Sequence, residues 1–396
     1  MSTPTETDVI TPYEEHLAAL VERVQEYMHL PDPGPFVLVL AAVAANRLKG
    51  NPVWLMLVAP ASSGKTELLD TLLGVPKVHP VATLTEAALL SGTPSRDRAS
   101  NASGGLLRTI GEEGVVVAKD FTSVLCMNRN QRAAILAALR EIYDGCWVRH
   151  VGADGGRKLS WDGRLGFLGG VTDIIDSHHG VISALGDRFL YCRIHAEPSM
   201  RRRVARKVIE RAEAMRAKVS DTLKSELREL VAGFFECFDQ SVDYRPLTDE
   251  EKDWLARAAD LAARGRSAVE RDSYRRDIIN VLTPESPGRL AGGLGQLFYG
   301  LRTIGCIPDE AKRLVRKVAI DCLPRERARL LLLLSSKPTL SIEEMRKDEE
   351  VDYPPTAIRR ALEDMECLRM VERVEKSETA DHWKLYSSFR ESWSLL

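Results

Sequence analysis

The sequence predicts a mixed α/β protein with a three-layer core, a helical domain after it and a small helix-and-hairpin unit at the C-terminus. Three observations predict this. Up to Ile194, apolar runs rich in β-branched residues ("PVWLMLVAP", "VVVAKD", "RLGFLGGVT", "RFLYCRI") alternate with helical stretches, as in a parallel sheet covered on both faces. From Ser199 to about Pro324 the apolar spacing is almost entirely helical. Beyond Arg325, helical stretches are followed by two strand-like runs around a polar tip. At 396 residues and 44% hydrophobic, the chain can bury cores for two or three domains.

In chain order, residues 1–50 form an N-terminal helical segment. Glu14 to Met28 has helical spacing, "PDPGP" stops it, and a second apolar helix ends near "RLKG". Residues 51–198 make the α/β core. Residues 199–324 make a helical lid domain that opens with the basic run Arg201 to Lys218, either a solvated helix face or a nucleic-acid contact. Residues 325–396 read as a helix (Arg325 to Ser335), a short helix (Ser341 to Lys347), a helix (Pro355 to Arg369) and the two runs of "MVERVEKSETADHWKLYSSF", the order of a winged helix.

A formal net charge of -2 with 28% charged residues creates no global basic field, so any nucleic-acid binding must come from local patches. Seven scattered cysteines without a CxxC predict reduced thiols and a cytoplasmic protein. The apolar runs are too short to span a bilayer, so no membrane partner is expected. His178 and His179 have no cysteine or carboxylate at ligand spacing, which argues against a metal there.

The most specific motif is Ala59-Pro60-Ala61-Ser62-Ser63-Gly64-Lys65-Thr66, between an apolar strand and an amphipathic helix. It matches the phosphate-binding P-loop except that Ala59 replaces the first glycine. Backbone N–H groups of Ser62, Ser63 and Gly64 would surround a phosphate, Lys65 would reach the β- and γ-oxygens, and the Thr66 hydroxyl would hold Mg²⁺. Glu67 follows at once. ATP with Mg²⁺ is the expected ligand, and a chance GKT in a turn is disfavoured by the strand before and the helix after.

Past this loop, Gly104 to Ile194 resembles the AAA+ ATPases, and among them the minichromosome maintenance (MCM) replicative helicases. "GGLLRTIGEEGVVVAKDF" resembles the approach to the Walker B motif, "VRHVGADGGRKLSWDGRLGFLGGVT" a hairpin leading to the sensor 1 strand, and "ISALGDRFLYCRI" the arginine-finger segment. "TPESPGRLAGGLGQL" resembles the helix start that carries sensor 2. The resemblance implies Thr172 at sensor 1, Arg188 as the finger and Arg289 as sensor 2; the bland alternatives are a strand threonine and structural arginines. Where the family has an Asp-Glu pair before Phe, this chain has Lys119-Asp120-Phe121. One register puts Lys119 at the Mg²⁺-binding acid, the other puts Asp120 there, and either lacks one acid. Asp120 facing the γ-phosphate, with a slow ATPase, is the expectation. Glu67, Glu112 or Glu113 could assist.

The resemblance implies a ring, a hexamer in this family, and DNA as partner. Arg157 and Lys158 at a hairpin tip beside Trp161 would offer phosphate contacts and a stacking face; a polar β-turn is the alternative. On the helix from Pro355, Thr356, Arg359 and Arg360 suit DNA, whereas Glu363, Asp364 and Glu366 suit a winged helix that contacts protein. The reading is therefore a ring-forming DNA motor, a replication initiator or helicase. Its alternatives are a MoxR-like remodeller of a protein partner and a slow ATP-gated scaffold.

Overall fold

The computed structural model describes residues 12–93, 104–152, 156–184, 186–194, 198–216, 220–236, 245–272, 274–281, 283–349, 351–374 and 381–395. Within these the chain is mixed α/β around a five-stranded sheet: β1 (Trp54–Val58), β2 (Val78–Val81), β3 (Glu113–Ala118), β6 (Arg164–Val171) and β7 (Leu190–Arg193). Its order is β2-β3-β6-β1-β7. The pairs β1–β6, β3–β6 and β2–β3 are parallel, with Val58 opposite Val171 and Ala118 opposite Gly169. All of β1 is buried, which is why it reads as an unbroken apolar run. Sequence reasoning passed over β2, "VHPV", because Pro80 and partial exposure hide an edge strand.

Between β3 and β6, β4 (Cys146–Val151) and β5 (Arg157–Asp162) form the expected antiparallel hairpin. Residues 153–155 of its anticipated tip lie outside the described residues.

The helix Gly34–Arg47 starts at the Pro-rich turn and is buried from Gly34 to Asn46. Asn46 closes the turn into β1: its Nδ2 donates to Val53 O and its Oδ1 accepts from Val53 N, both at 2.9 Å. Gly300, on the helix Gly288–Thr303, packs against it so closely that an added β-carbon would lie 2.3 Å from Ala41 O and 2.8 Å from Ala45 Cβ. Gly300→Val is therefore expected to destabilise by about 1–3 kcal/mol through overpacking, read as a lower denaturant midpoint with an unchanged slope.

The chain divides into two compact units, each assembled from separated segments: 1–172 with 193–244 and 296–314, and 173–192 with 245–295 and 315–396. In the second, the helix Arg325–Ser336, β10 (Leu340–Ser341), the helices Ile342–Met345 and Pro355–Cys367, β11 (Val371–Val374) and β12 (His382–Leu385) follow one another in the order read from the sequence. They are completed by a helix, Ser387–Ser394, and the strands form an antiparallel sheet β10-β12-β11 over the fully buried Trp383. The run 375–380 lies outside the described residues. One element departs from the helical reading of 199–324. The segments β8 (Val269–Arg271) and β9 (Ile278–Val281) pair as a hairpin, and their three and four residues are too short to show a period of two.

Candidate functional site

The P-loop leaves β1 at the carboxyl edge of the sheet, where Ala59 N–H donates to Val171 O at 3.2 Å. Ser62 has φ 63° and Gly64 φ 85°, so the loop coils through left-handed backbone before the helix Lys65–Asp70. Such a coil turns successive N–H groups toward one point, the seat a phosphate needs. Lys65 folds along the loop and donates to Ala59 O at 2.6 Å and Pro60 O at 2.7 Å. Thr66 is exposed on the first turn of the helix. The residues fit a nucleotide phosphate and a Mg²⁺ ion at that end.

Sequence reasoning missed the wall of this site. A cavity of about 380 Å³ runs from the P-loop between Met28 and His29 on one side and Val204, Lys207 and Val208 on the other. Val204 and Val208 are one turn apart on the helix Pro198–Arg216, within the basic run for which the sequence offers a solvated face or a nucleic-acid contact. Lys218, at the end of that run, lies outside the described residues.

Adjacent strands bring two further sequence candidates to the same edge. Asp120 lies two residues past the end of β3 and Thr172 one past the end of β6. Their turns are linked: Phe121 N–H donates to Gly170 O at 2.7 Å, and Thr172 N–H donates to the Thr122 hydroxyl at 3.1 Å. Asp120 is exposed, and its Oδ1 accepts from Thr122 N at 3.0 Å.

Lys119, the residue that departs from the family pattern, has a partner of its own. Its ammonium pairs with Asp70, the last residue of the P-loop helix. Asp70 also takes Lys224 at 2.9 Å and Arg228 at 3.3 Å, both from the helix Ser220–Glu236. Burial alone would raise the Asp70 carboxyl, but hydrogen bonds from Lys119 and Lys224 outweigh it and hold it below the usual carboxylate range. Glu67 belongs to the same network, accepting from the Tyr27 hydroxyl and pairing with Lys224 at 3.2 Å. Arg23 of the helix Pro12–Tyr27 pairs with Glu226. Three helices are thereby tied around the P-loop. Glu112 and Glu113 stand at the opposite end of β3, where Glu113 faces Lys77 at 3.5 Å, about 16 Å of strand away from Asp120's end. They cannot assist there.

In the second unit, Arg188 and Arg289 converge. The space a β-carbon on Gly186 would fill is 2.9 Å from Arg188 Nη1 and 3.1 Å from Arg289 Nη1. Beneath them Arg266, 1% exposed, pairs with Asp187 at 3.7 Å and Glu285 at 2.8 Å. Burial works against the charge of Arg266, yet those two carboxylates hold its pKa above the usual value. Arg289 donates to Asp187 O at 3.5 Å and lies 3.5 Å from Glu285, so the buried cluster sets its guanidinium group, while Arg188 Nη1 donates to Gly186 O at 2.8 Å.

Of the hairpin residues, Lys158 is exposed and Arg157 partly so, but Trp161 is buried at 5% exposure and its indole N–H donates to Gly111 O at 2.7 Å. Trp161 therefore presents no stacking face. By the period of two it shares a face with Leu159, which packs inward. Arg359 and Arg360 are exposed on the helix Pro355–Cys367.

No protein-family model and no curated protein sequence matches the chain. Among solved structures, a candidate ATPase from Cytophaga hutchinsonii is similar over 78% of this chain and 86% of its own, at 12% identity and a TM-score of 0.43. The C-terminal region of NrS-1 is similar over 66% of this chain at 12% identity and a TM-score of 0.28, and this chain spans 58% of that structure's length. The P-loop follows β1, and β6 lies between β1 and β3 in the sheet. Among the described residues no helix is long and apolar enough to cross a membrane.

Proposed function

We propose that this chain is an ATP-hydrolysing AAA+ protein that assembles into a homo-oligomeric ring, a hexamer by its resemblance, and acts on DNA. The observation that carries the ATPase reading is the single sheet edge on which the P-loop, Asp120 and Thr172 meet. Lys65 would leave the carbonyls of Ala59 and Pro60 for the β- and γ-oxygens, and Thr66 and Asp120 would hold Mg²⁺, directly or through water. The ion would screen the phosphate charge as the γ-phosphoryl group transfers. Thr172 would orient the attacking water. The nucleobase would enter between Met28 and Val204 and Val208, an apolar slot with His29 at its side.

Arg188 and Arg289, whose guanidinium groups converge beside Gly186, would complete the site of a neighbouring copy by neutralising charge on the γ-phosphate. DNA is favoured over a protein partner because two of the three acids that argued for protein are engaged: Asp364 pairs with Arg271 and Arg327, and Glu363 with Arg271.

The test mixes two inactive variants. Arg188→Ala and Asp120→Asn are each expected to bind ATP while losing hydrolysis on the order of 10²-fold or more. Asn at position 120 can still accept from Thr122 N, so the turn survives. In mixed rings about a quarter of interfaces pair an intact Asp120 with an intact Arg188, so that share of activity returns. A mixture that stays inactive beside an active parent overturns the shared site.

A further inference from the structure

The tip of the β8–β9 hairpin and the first turns of the helix Pro355–Cys367 build one basic cleft, of which the sequence reading named only the helix residues Thr356, Arg359 and Arg360. Arg271, at the end of β8, ties them together. Its Nη1 donates to Arg276 O at 2.8 Å within the hairpin, its Nη2 to Arg360 O at 3.0 Å and to Glu363 at 3.0 Å, and its Nε to Asp364 at 2.9 Å on the helix. Asp364 is gripped from behind by Arg327 at 3.1 Å, whose other nitrogen donates to the carbonyls of Gly265 and Ser267. The tip is shaped as well: Asp272 Oδ1 accepts from the N–H groups of Tyr274 and Arg275, and Arg276 takes the left-handed backbone, φ 65°.

What this frame presents outward is cationic. A cleft of about 300 Å³ is lined by Arg275 and Arg276 from the hairpin and by Thr356, Arg359 and Arg360 from the helix. All four arginines are exposed. The acids at the cleft are Glu363, held by Arg271, and Asp277, so the balance is positive. At the tip stands Tyr274, 92% exposed. A chain with net charge -2 concentrates guanidinium groups here around an aromatic ring offered almost whole to solvent. Repeating phosphates with an unstacked base between them match that combination. An acidic peptide would match the charge but leave the ring without a partner, and a duplex keeps its bases stacked inside and offers none to the ring.

We propose that this cleft binds single-stranded DNA, with Arg275, Arg276, Arg359 and Arg360 on successive phosphates, the Thr356 hydroxyl on one of them and Tyr274 stacked on a base. This rests on the reading of the chain as a DNA-acting protein and assigns the strand to a surface formed jointly by hairpin and helix.

The test is fluorescence anisotropy of a labelled oligothymidylate with the full chain. Tyr274→Ala is expected to weaken binding about tenfold while Tyr274→Phe keeps it, since only the ring matters for stacking. Arg275→Ala with Arg276→Ala should weaken it further and reduce the slope of log affinity against log salt by about 1.4, two phosphate contacts on a single strand. Melting temperatures equal to the parent's show that these exposed changes leave the fold intact. If the parent binds the oligonucleotide and the hairpin variants bind it equally well, the cleft is overturned while the DNA reading stands, and Arg157→Ala with Lys158→Ala then becomes the variant that loses binding. A parent that prefers the duplex form of the same sequence, with Tyr274→Ala neutral, overturns the single-strand assignment. A parent that binds neither form removes the DNA reading and this inference with it, leaving the ATPase reading to its own test.

Discussion

Lys65→Ala is expected to weaken ATP binding about 100-fold and to abolish hydrolysis. A charge-assisted hydrogen bond contributes about 1.5–3 kcal/mol, and here the same ammonium meets two phosphate groups. The variant has a second, measurable cost. Lys65 donates to Ala59 O, and Ala59 is 1% exposed, so its removal leaves that carbonyl without this donor at the turn out of β1. A stability loss of about 1–3 kcal/mol should accompany the loss of binding. Calorimetric titration of ATP separates the two effects, because ATP raises the melting temperature of the parent and leaves that of the variant unmoved. Equal affinity for ATP in parent and variant would place the nucleotide elsewhere.

Placing at position 119 the acid that the resembled ATPases carry should fail. Lys119→Asp looks like a repair of the Walker B motif, but it sets a second carboxylate against Asp70, whose side chain is 10% exposed. The Lys119 side chain is 35% exposed and Lys224 and Arg228 still hold Asp70, so the lost pair and the new repulsion together should cost about 1–2 kcal/mol, a fall in melting temperature of about 5 °C for a unit of this size. ATPase activity should not rise, since the position faces the end of the P-loop helix. Lys119→Met, which removes the pair without adding a like charge, should cost less, because Lys224 and Arg228 still hold Asp70. A gain in turnover with unchanged stability would show that Lys119 occupies the metal position after all.

The same pair makes a pH statement. The Asp70 carboxyl is held below its usual value, so its contribution is complete above the unfolded pKa and is lost as pH falls through the folded one. The parent should therefore lose stability in acid more steeply than Asp70→Asn, which has no such carboxyl to protonate.

Much of the site was legible because the signals are local. Strand β1 is an apolar run because both of its faces are buried, and the loop after it must contain small residues and a lysine to bring backbone N–H groups and a charge to a phosphate. Sequence order therefore predicted the P-loop and the strands β1, β3, β6 and β7, and the family resemblance implied the hairpin before β6. Trp161 was misjudged because its neighbours Arg157 and Lys158 are polar, while period two turns its own ring inward. The short hairpin β8–β9 stayed hidden in a helical stretch, since three or four residues carry no periodicity.

What only the tertiary structure decided concerns pairs far apart in the chain. Lys119 read as a damaged metal site because its partner, Asp70, stands on another element, and Lys224 and Arg228 lie more than a hundred residues further on. In the sequence Glu363 and Asp364 suit a contact with protein, whereas in the fold they pair with Arg271 and Arg327. A charged side chain's role depends on what lies within a few ångströms of it, because the Coulomb term decays with distance and is screened by water. The sequence by itself determined which backbone segments become strand, helix and phosphate loop, since those follow from the residues' own periods and turns. Which charges face a ligand and which face each other was decided only where the folded chain brought them together.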